Sequence, residues 1–137
     1  MNLKSIIVVL SLLISPALSA DSLGQLNPEQ LQSLQQSQNA LIVDVRTPAE
    51  WQASGIIPNS QKLQGFDSSG KFDADKWLSD LQKLKSSAEQ PVILVCRSGN
   101  RSSKIGELLA QHGEKNIYHL SNGIQGWIQS GNPVKAD

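Results

Sequence analysis

The stretch Pro91-Val92-Ile93-Leu94-Val95-Cys96-Arg97-Ser98-Gly99-Asn100-Arg101-Ser102-Ser103 decides the architecture. Its first half is a short apolar run rich in β-branched residues, the pattern of a strand buried on both faces. Its second half is polar, contains Gly99, and leads into a segment where Ile105, Leu108 and Leu109 recur at helical spacing. The reading is strand, turn, helix, with the helix beginning at Arg101 or Ser102, running to His112 and followed by Gly113 at C′. Cys96 stands where strand passes into turn. In parallel α/β sheets this carboxyl end is where ligands bind.

The flanking sequence repeats the alternation. Asn27-Pro28-Glu29 starts a helix with Asn as N-cap and Pro at the first helical position. It runs to about Gln36 with Leu31 and Leu34 inward, and the Gln-rich stretch Gln25 to Gln38 is its solvated face. Leu41 to Val45 reads as a second doubly buried strand. Thr47-Pro48-Ala49-Glu50 is a capping box opening a short helix that carries Trp51 and stops at Gly55. A short strand is expected near Ser60 to Leu63, then a loop over Gln64 to Lys71. Asp73 caps a helix to about Leu84 whose apolar face is Trp77, Leu78, Leu81 and Leu84. Asn116 to Leu120 is a further strand. A last helix, about Gly123 to Gln129, presents Ile124, Trp127 and Ile128. Strands alternating with helices predict a parallel sheet covered by helices on both faces.

Composition removes several functional classes. The 137 residues carry 12 basic and 12 acidic side chains, and no basic cluster forms an electrostatic footprint for nucleic acid. One cysteine allows no intramolecular disulfide and no Cys-rich zinc site. With two histidines and no HExxH-like spacing, no catalytic zinc site is expected, and chemistry at the Cys96 thiol implies neither a metal nor an organic cofactor. His112 and His119 read as structural.

Residues 1–19 differ from the rest. Lys4 is followed by the apolar run Ile6 to Ile14, broken at Ser15-Pro16, and Ala17 and Ser19 supply small residues at −3 and −1. This is the plan of a secretory signal peptide, with cleavage after Ser19 or Ala20. The run is too short for a membrane span, which needs about 20 apolar residues. Residues 20–137 are expected to form one domain in the periplasm, with no membrane association after cleavage. Oxidising compartments consume idle thiols, so an exported Cys96 is either buried and inert or kept for chemistry.

The turn favours chemistry. A loop between a strand and a helix can point successive backbone N–H groups inward and, with the positive helix end, form an anion cradle. Gly99 permits backbone conformations that other residues resist. Arg97 and Arg101 add full charges. Each effect favours a thiolate over a thiol.

Three segments in order resemble the rhodanese-like family in its single-domain form. Asp44-Val45-Arg46-Thr47-Pro48-Ala49-Glu50-Trp51 with Gly55-Ile56-Ile57-Pro58 is similar to its first signature, and Cys96 to Ser102 to its active-site loop. Asn122-Gly123-Ile124-Gln125-Gly126-Trp127 with Gly131-Asn132-Pro133-Val134 is similar to its C-terminal signature. The resemblance implies a three-layer α/β/α sandwich around a five-stranded parallel sheet. It also implies an exported thiosulfate sulfurtransferase with Cys96 as nucleophile and Arg97, Ser98, Gly99, Asn100, Arg101 and Ser102 holding the donor. Asp44 and Arg46 would support the strand ends. The family commonly has His where Ile56 stands and Gly where Asn59 and Asn122 stand.

The expected chemistry is covalent: Cys96 takes the outer sulfur of thiosulfate or a similar donor, becomes a persulfide, and passes the sulfur to cyanide or a thiol. Two alternatives stand beside it. One is a Cys-dependent phosphatase or arsenate reductase, although those loops place five residues between Cys and Arg and here four separate Cys96 from Arg101. The other is a non-enzymatic module that binds a partner protein or carries sulfur to an unidentified acceptor protein.

Overall fold

A computed structural model describes residues 22–137; the expected signal segment at residues 1–19 lies outside the described residues. Five strands, β1 (Gly24–Leu26), β2 (Leu41–Asp44), β3 (Gln61–Lys62), β4 (Val92–Val95) and β5 (Ile117–Leu120), pair in parallel in the order β1-β5-β4-β2-β3. Five helices alternate with them: α1 (Pro28–Gln38), α2 (Pro48–Ser54), α3 (Ala74–Leu84), α4 (Asn100–Gln111) and α5 (Gly123–Gln129). The expected α/β architecture with a five-stranded parallel sheet is what the chain forms.

Side-chain alternation along the strands builds two cores. Val43, Val45, Val92, Leu94 and Ile117 face α3 and α4, packing with Trp77, Leu81, Ile105 and Leu109. Ile42, Ile93, Val95 and Leu120 face α1 and α5, packing with Leu31, Ile124 and Trp127. The central strands β2 and β4 are therefore wrapped on both sides, which is why their sequences are apolar without interruption.

Three expectations need correction. The strand β1 is absent from the sequence reading, and Gln25 and Leu26, assigned there to the solvated glutamine face, belong to it. Three residues are too few to show a period, and β1 is an edge strand paired only with β5. Helix α4 begins at Asn100, one residue early, because Gly99 with φ +101° serves as its N-cap. In α5, Ile128 is 44% exposed and joins no core cluster.

The connections place a crevice. The chain leaves β2 toward β3 at one edge and leaves β4 toward β5 in the opposite direction. The carboxyl ends of β2 and β4, adjacent in the sheet through Asp44 and Val95, mark the switch point where such folds bind ligands. Arg46 and Cys96 follow those two ends.

Candidate active site

Cys96 is 1% exposed, and its sulfur serves as the capping group of α4. Gly99, the N-cap, offers no side chain, so the Ser102 N–H at the third helical position is 3.4 Å from Cys96 Sγ, and the Gly99 N–H is 3.1 Å from it. Ser102 Oγ lies 3.3 Å away. Helix N-termini carry unsatisfied N–H groups and partial positive charge. A sulfur anion at this point is held by both.

The loop is forced into this shape from behind. The Ile124 and Gln125 N–H groups, in the first turn of α5, donate to the Cys96 and Arg97 carbonyls at 2.9 and 3.1 Å. With those carbonyls drawn toward α5, the loop's N–H groups at Gly99 and Ser102 converge on the sulfur. Two glycines make the approach feasible. A Cβ on Gly123, at φ +60°, would sit 2.4 Å from the Arg97 carbonyl. One on Gly99 would sit 2.0 Å from the Ser121 carbonyl oxygen.

The neighbouring loop after β2 is fastened by charge. Arg46 Nη2 and Asp44 Oδ2 are 2.8 Å apart with both side chains buried. The remaining guanidinium N–H groups donate to Ser54 Oγ at 2.6 Å and to the Gly55 and Glu50 carbonyls at 2.8 and 3.4 Å. A buried cation is thereby fully partnered at the C-terminal end of α2, where carbonyls are unsatisfied. Asp44 and Arg46 are accordingly locked within the fold, and Arg46 also borders the groove that Arg97 lines.

Glu50 closes the capping box of α2 and also reaches Arg101 on α4 with two hydrogen bonds of 2.7 and 2.8 Å. The Arg101 hydrogen bond holds the Glu50 carboxyl down to about 2 against burial, the next largest effect, with the Arg101 charge and the Thr47 hydrogen bonds adding to the lowering. The sequence reading placed Arg101 on the anion. Its guanidinium also pairs with Glu50, which fixes its position beside the loop. Arg97 is exposed and joins no ion pair among the described residues. It lines a groove of about 410 Å³ with Glu50, Ala53, Ile124, Gln125 and Ile128.

Ser98 and Asn100 are exposed, whereas Gly99 and Ser102 are buried against the sulfur. Ser102 therefore addresses Cys96 itself and not an outlying part of a bound anion. His119, on β5, was read as structural; its Nδ1 lies 3.0 Å from Ser102 Oγ. Burial pushes the imidazole below its ordinary range, with Glu107 opposing weakly. Sequence inspection had no signal for this contact, because 17 residues separate the two. Asn59 adopts φ +67°, which explains why glycine is common there and why Asn, tolerant of left-handed backbone, replaces it.

A cysteine at a strand end, capping a helix and backed by a glycine-clamped loop, places one buried thiol at the switch point of a parallel α/β sheet. Residues 27–130 match the family model for the rhodanese-like domain, and the chain belongs to that family. A protein of *Allochromatium vinosum* named sulfurtransferase is 31% identical over 105 residues, covering 77% of this chain and 87% of its own. The thiosulfate sulfurtransferase GlpE of *Actinobacillus succinogenes* is 27% identical, covering 81% of this chain and 89% of its own. The crystal structure of Rv0390 from *M. tuberculosis* superposes with a TM-score of 0.67 at 27% identity, covering 85% of this chain and all of that one.

Proposed function

We propose that this protein is a sulfurtransferase that moves the sulfane sulfur of thiosulfate, or of a similar anionic donor, to a thiol or cyanide. The observation that carries the reading is the convergence of the Gly99 N–H, the Ser102 N–H and the Ser102 hydroxyl on Cys96 Sγ. The Cys96 thiolate attacks the outer sulfur. The S–S bond of thiosulfate breaks, its electron pair leaves with sulfite, and Cys96 carries a persulfide anion. The acceptor then attacks the terminal sulfur and regenerates the thiolate; with cyanide the product is thiocyanate. The two backbone N–H groups, fixed by the loop, stabilise the anion at each stage without reorganising. Arg97, exposed beside the groove, is the cation available to the sulfonate end of the donor. The groove is larger than thiosulfate needs and has apolar walls at Ala53, Ile124 and Ile128, which suits an organic thiol as acceptor.

Phosphoryl or arsenate chemistry is the competing use of such a loop. It fits less well, because Cys96 is almost wholly buried and a terminal sulfur is a single projecting atom. A phosphoryl group must bring three oxygens to the same point. The amino-terminal pattern supports export, and the periplasm is the proposed location. Among the described residues no helix is long and apolar enough to cross a membrane.

Intact mass tests the reaction. Thiosulfate should add one sulfur atom to the protein, cyanide should remove it as thiocyanate, and Cys96→Ala should do neither while remaining folded. Turnover retained in Cys96→Ala would overturn the proposal.

A further inference from the structure

Behind Cys96 runs a buried chain of polar atoms that ends at an imidazole nitrogen. Cys96 Sγ is 3.3 Å from Ser102 Oγ, which is 3.0 Å from His119 Nδ1 and 3.2 Å from the Gly99 carbonyl oxygen. Ser102 is fully buried and His119 is 3% exposed. Among the described residues, His119 Nε2 has no hydrogen-bond partner. A polar residue placed on a buried strand, at the desolvation cost this implies, is satisfied on one side only, and that side faces the serine that touches the nucleophile.

The orphan nitrogen indicates the tautomer. Buried N–H groups without an acceptor are rarer than buried acceptors without a donor. The neutral imidazole therefore carries its proton on Nδ1 and leaves a lone pair at Nε2. An Nδ1–H can only donate, so Ser102 Oγ accepts from His119. The serine's single O–H is then free to point either to the Gly99 carbonyl or to the sulfur.

We propose that His119 is a positioning residue for Cys96, acting through Ser102. With Cys96 as a thiol, S–H donates to Ser102 Oγ, and the serine hydroxyl donates to the Gly99 carbonyl. When the thiol proton leaves to solvent, Oγ loses that donor. The hydroxyl hydrogen turns from Gly99 to the thiolate, where a charged acceptor makes the stronger bond, while His119 keeps Oγ oriented by donating to it. No proton is transferred to the imidazole. The charged groups near this chain are Glu107, which acts on His119 from α4, and Arg101, which feels Cys96 from the loop side; neither lies on the hydrogen-bonded path. The inference rests on Cys96 acting as a thiolate and so deepens the reading above.

The test is the rate at which iodoacetamide alkylates Cys96 at pH 7, followed by intact mass, with thermal unfolding as the check on folding. His119→Leu removes the Nδ1 donor and should slow alkylation about threefold to tenfold, the scale of one neutral hydrogen bond. His119→Asn puts an amide where Nδ1 stands and should restore most of the rate. His119→Gln puts its amide at the Nε2 end and should not. Ser102→Ala should remove the effect of His119→Leu, so that the double variant reacts no more slowly than Ser102→Ala alone. A wild-type rate in His119→Leu, equal losses in the Asn and Gln variants, or additive losses with Ser102→Ala would each overturn the proposal. If His119→Leu does not fold, the Asn and Gln comparison decides. Alkylation needs no sulfur donor, so failure of thiosulfate to form a persulfide would remove the sulfurtransferase reading and leave this result standing.

Discussion

Glu50 Oε1 and Oε2 lie 2.7 and 2.8 Å from Arg101 Nη1 and Nη2, so one carboxylate joins the helix after β2 to the helix that holds the nucleophile. The Arg101 and Glu50 side chains are 31% and 27% exposed, and at such partial exposure the pair is worth about 1 kcal/mol or less. Glu50→Gln should lower stability by that order at neutral pH. The folded carboxyl, at about 2, is depressed from the ordinary 4.5, so the stabilisation is present above the higher value and is lost as pH falls toward the lower. The melting temperatures of wild type and Glu50→Gln should differ by a constant amount above about pH 5 and converge near pH 2. A difference that grows on acidification would contradict the assignment.

The two arginines nearest the site but outside this pair should separate cleanly. Arg46 is 2% exposed and bonded to Asp44. Breaking a buried ion pair from one side costs about 3–5 kcal/mol, so Arg46→Ala should lower the urea midpoint strongly. Arg97→Ala removes an exposed charge and should change stability by about 0.5 kcal/mol or less, yet raise the KM for thiosulfate. Equal destabilisation by the two substitutions would refute this division.

Gly123 is the clamp on the loop. At φ +60°, with the Cys96 and Arg97 carbonyl oxygens 2.5 and 2.4 Å from any added Cβ, Gly123→Ala must push α5 away from the loop. Persulfide formation should fall together with stability. Gly113 has φ +86° but nothing within 4 Å of its Cβ position. Gly113→Ala should then cost only backbone strain, about 1 kcal/mol, with turnover at the wild-type level. Thiosulfate turnover and thermal melts of both variants make the comparison.

Loop length should select sulfur over phosphorus. With four residues between Cys96 and Arg101, the unmodified protein should hydrolyse aryl phosphates negligibly while turning over thiosulfate and cyanide. One residue inserted between Gly99 and Asn100 should weaken sulfur transfer, because it displaces the N–H groups that now meet at the sulfur. Efficient phosphatase turnover with no persulfide detected would reverse the functional reading.

The alternation of β2, α2, β4 and α4 could be read from local pattern alone, because doubly buried strands are uninterrupted apolar runs and capped helices announce their first turns. Cys96 was legible for the same reason: it ends a strand and precedes a glycine turn. The edge strand β1 was not, since its three residues acquire their conformation from β5. The pairing of Arg101 with Glu50 was not legible either. From sequence it is a cation in the nucleophile's loop, and only the return of α2 to the same end of the sheet brings Glu50 against it.

Sequence by itself determined the fold class, the place of Cys96 at a strand end and the turn that surrounds it, because each depends on residues within a few positions of one another. Tertiary structure alone decided what holds that loop and what faces the sulfur from behind. Glu50 and Arg101 are 51 positions apart, and Ser102 and His119 are 17. Parallel strands need long crossovers, so groups gathered at their carboxyl ends come from distant segments. A hydrogen bond requires a separation of about 3 Å, and whether two such segments meet that closely is settled only by the packing of the sheet and its helices.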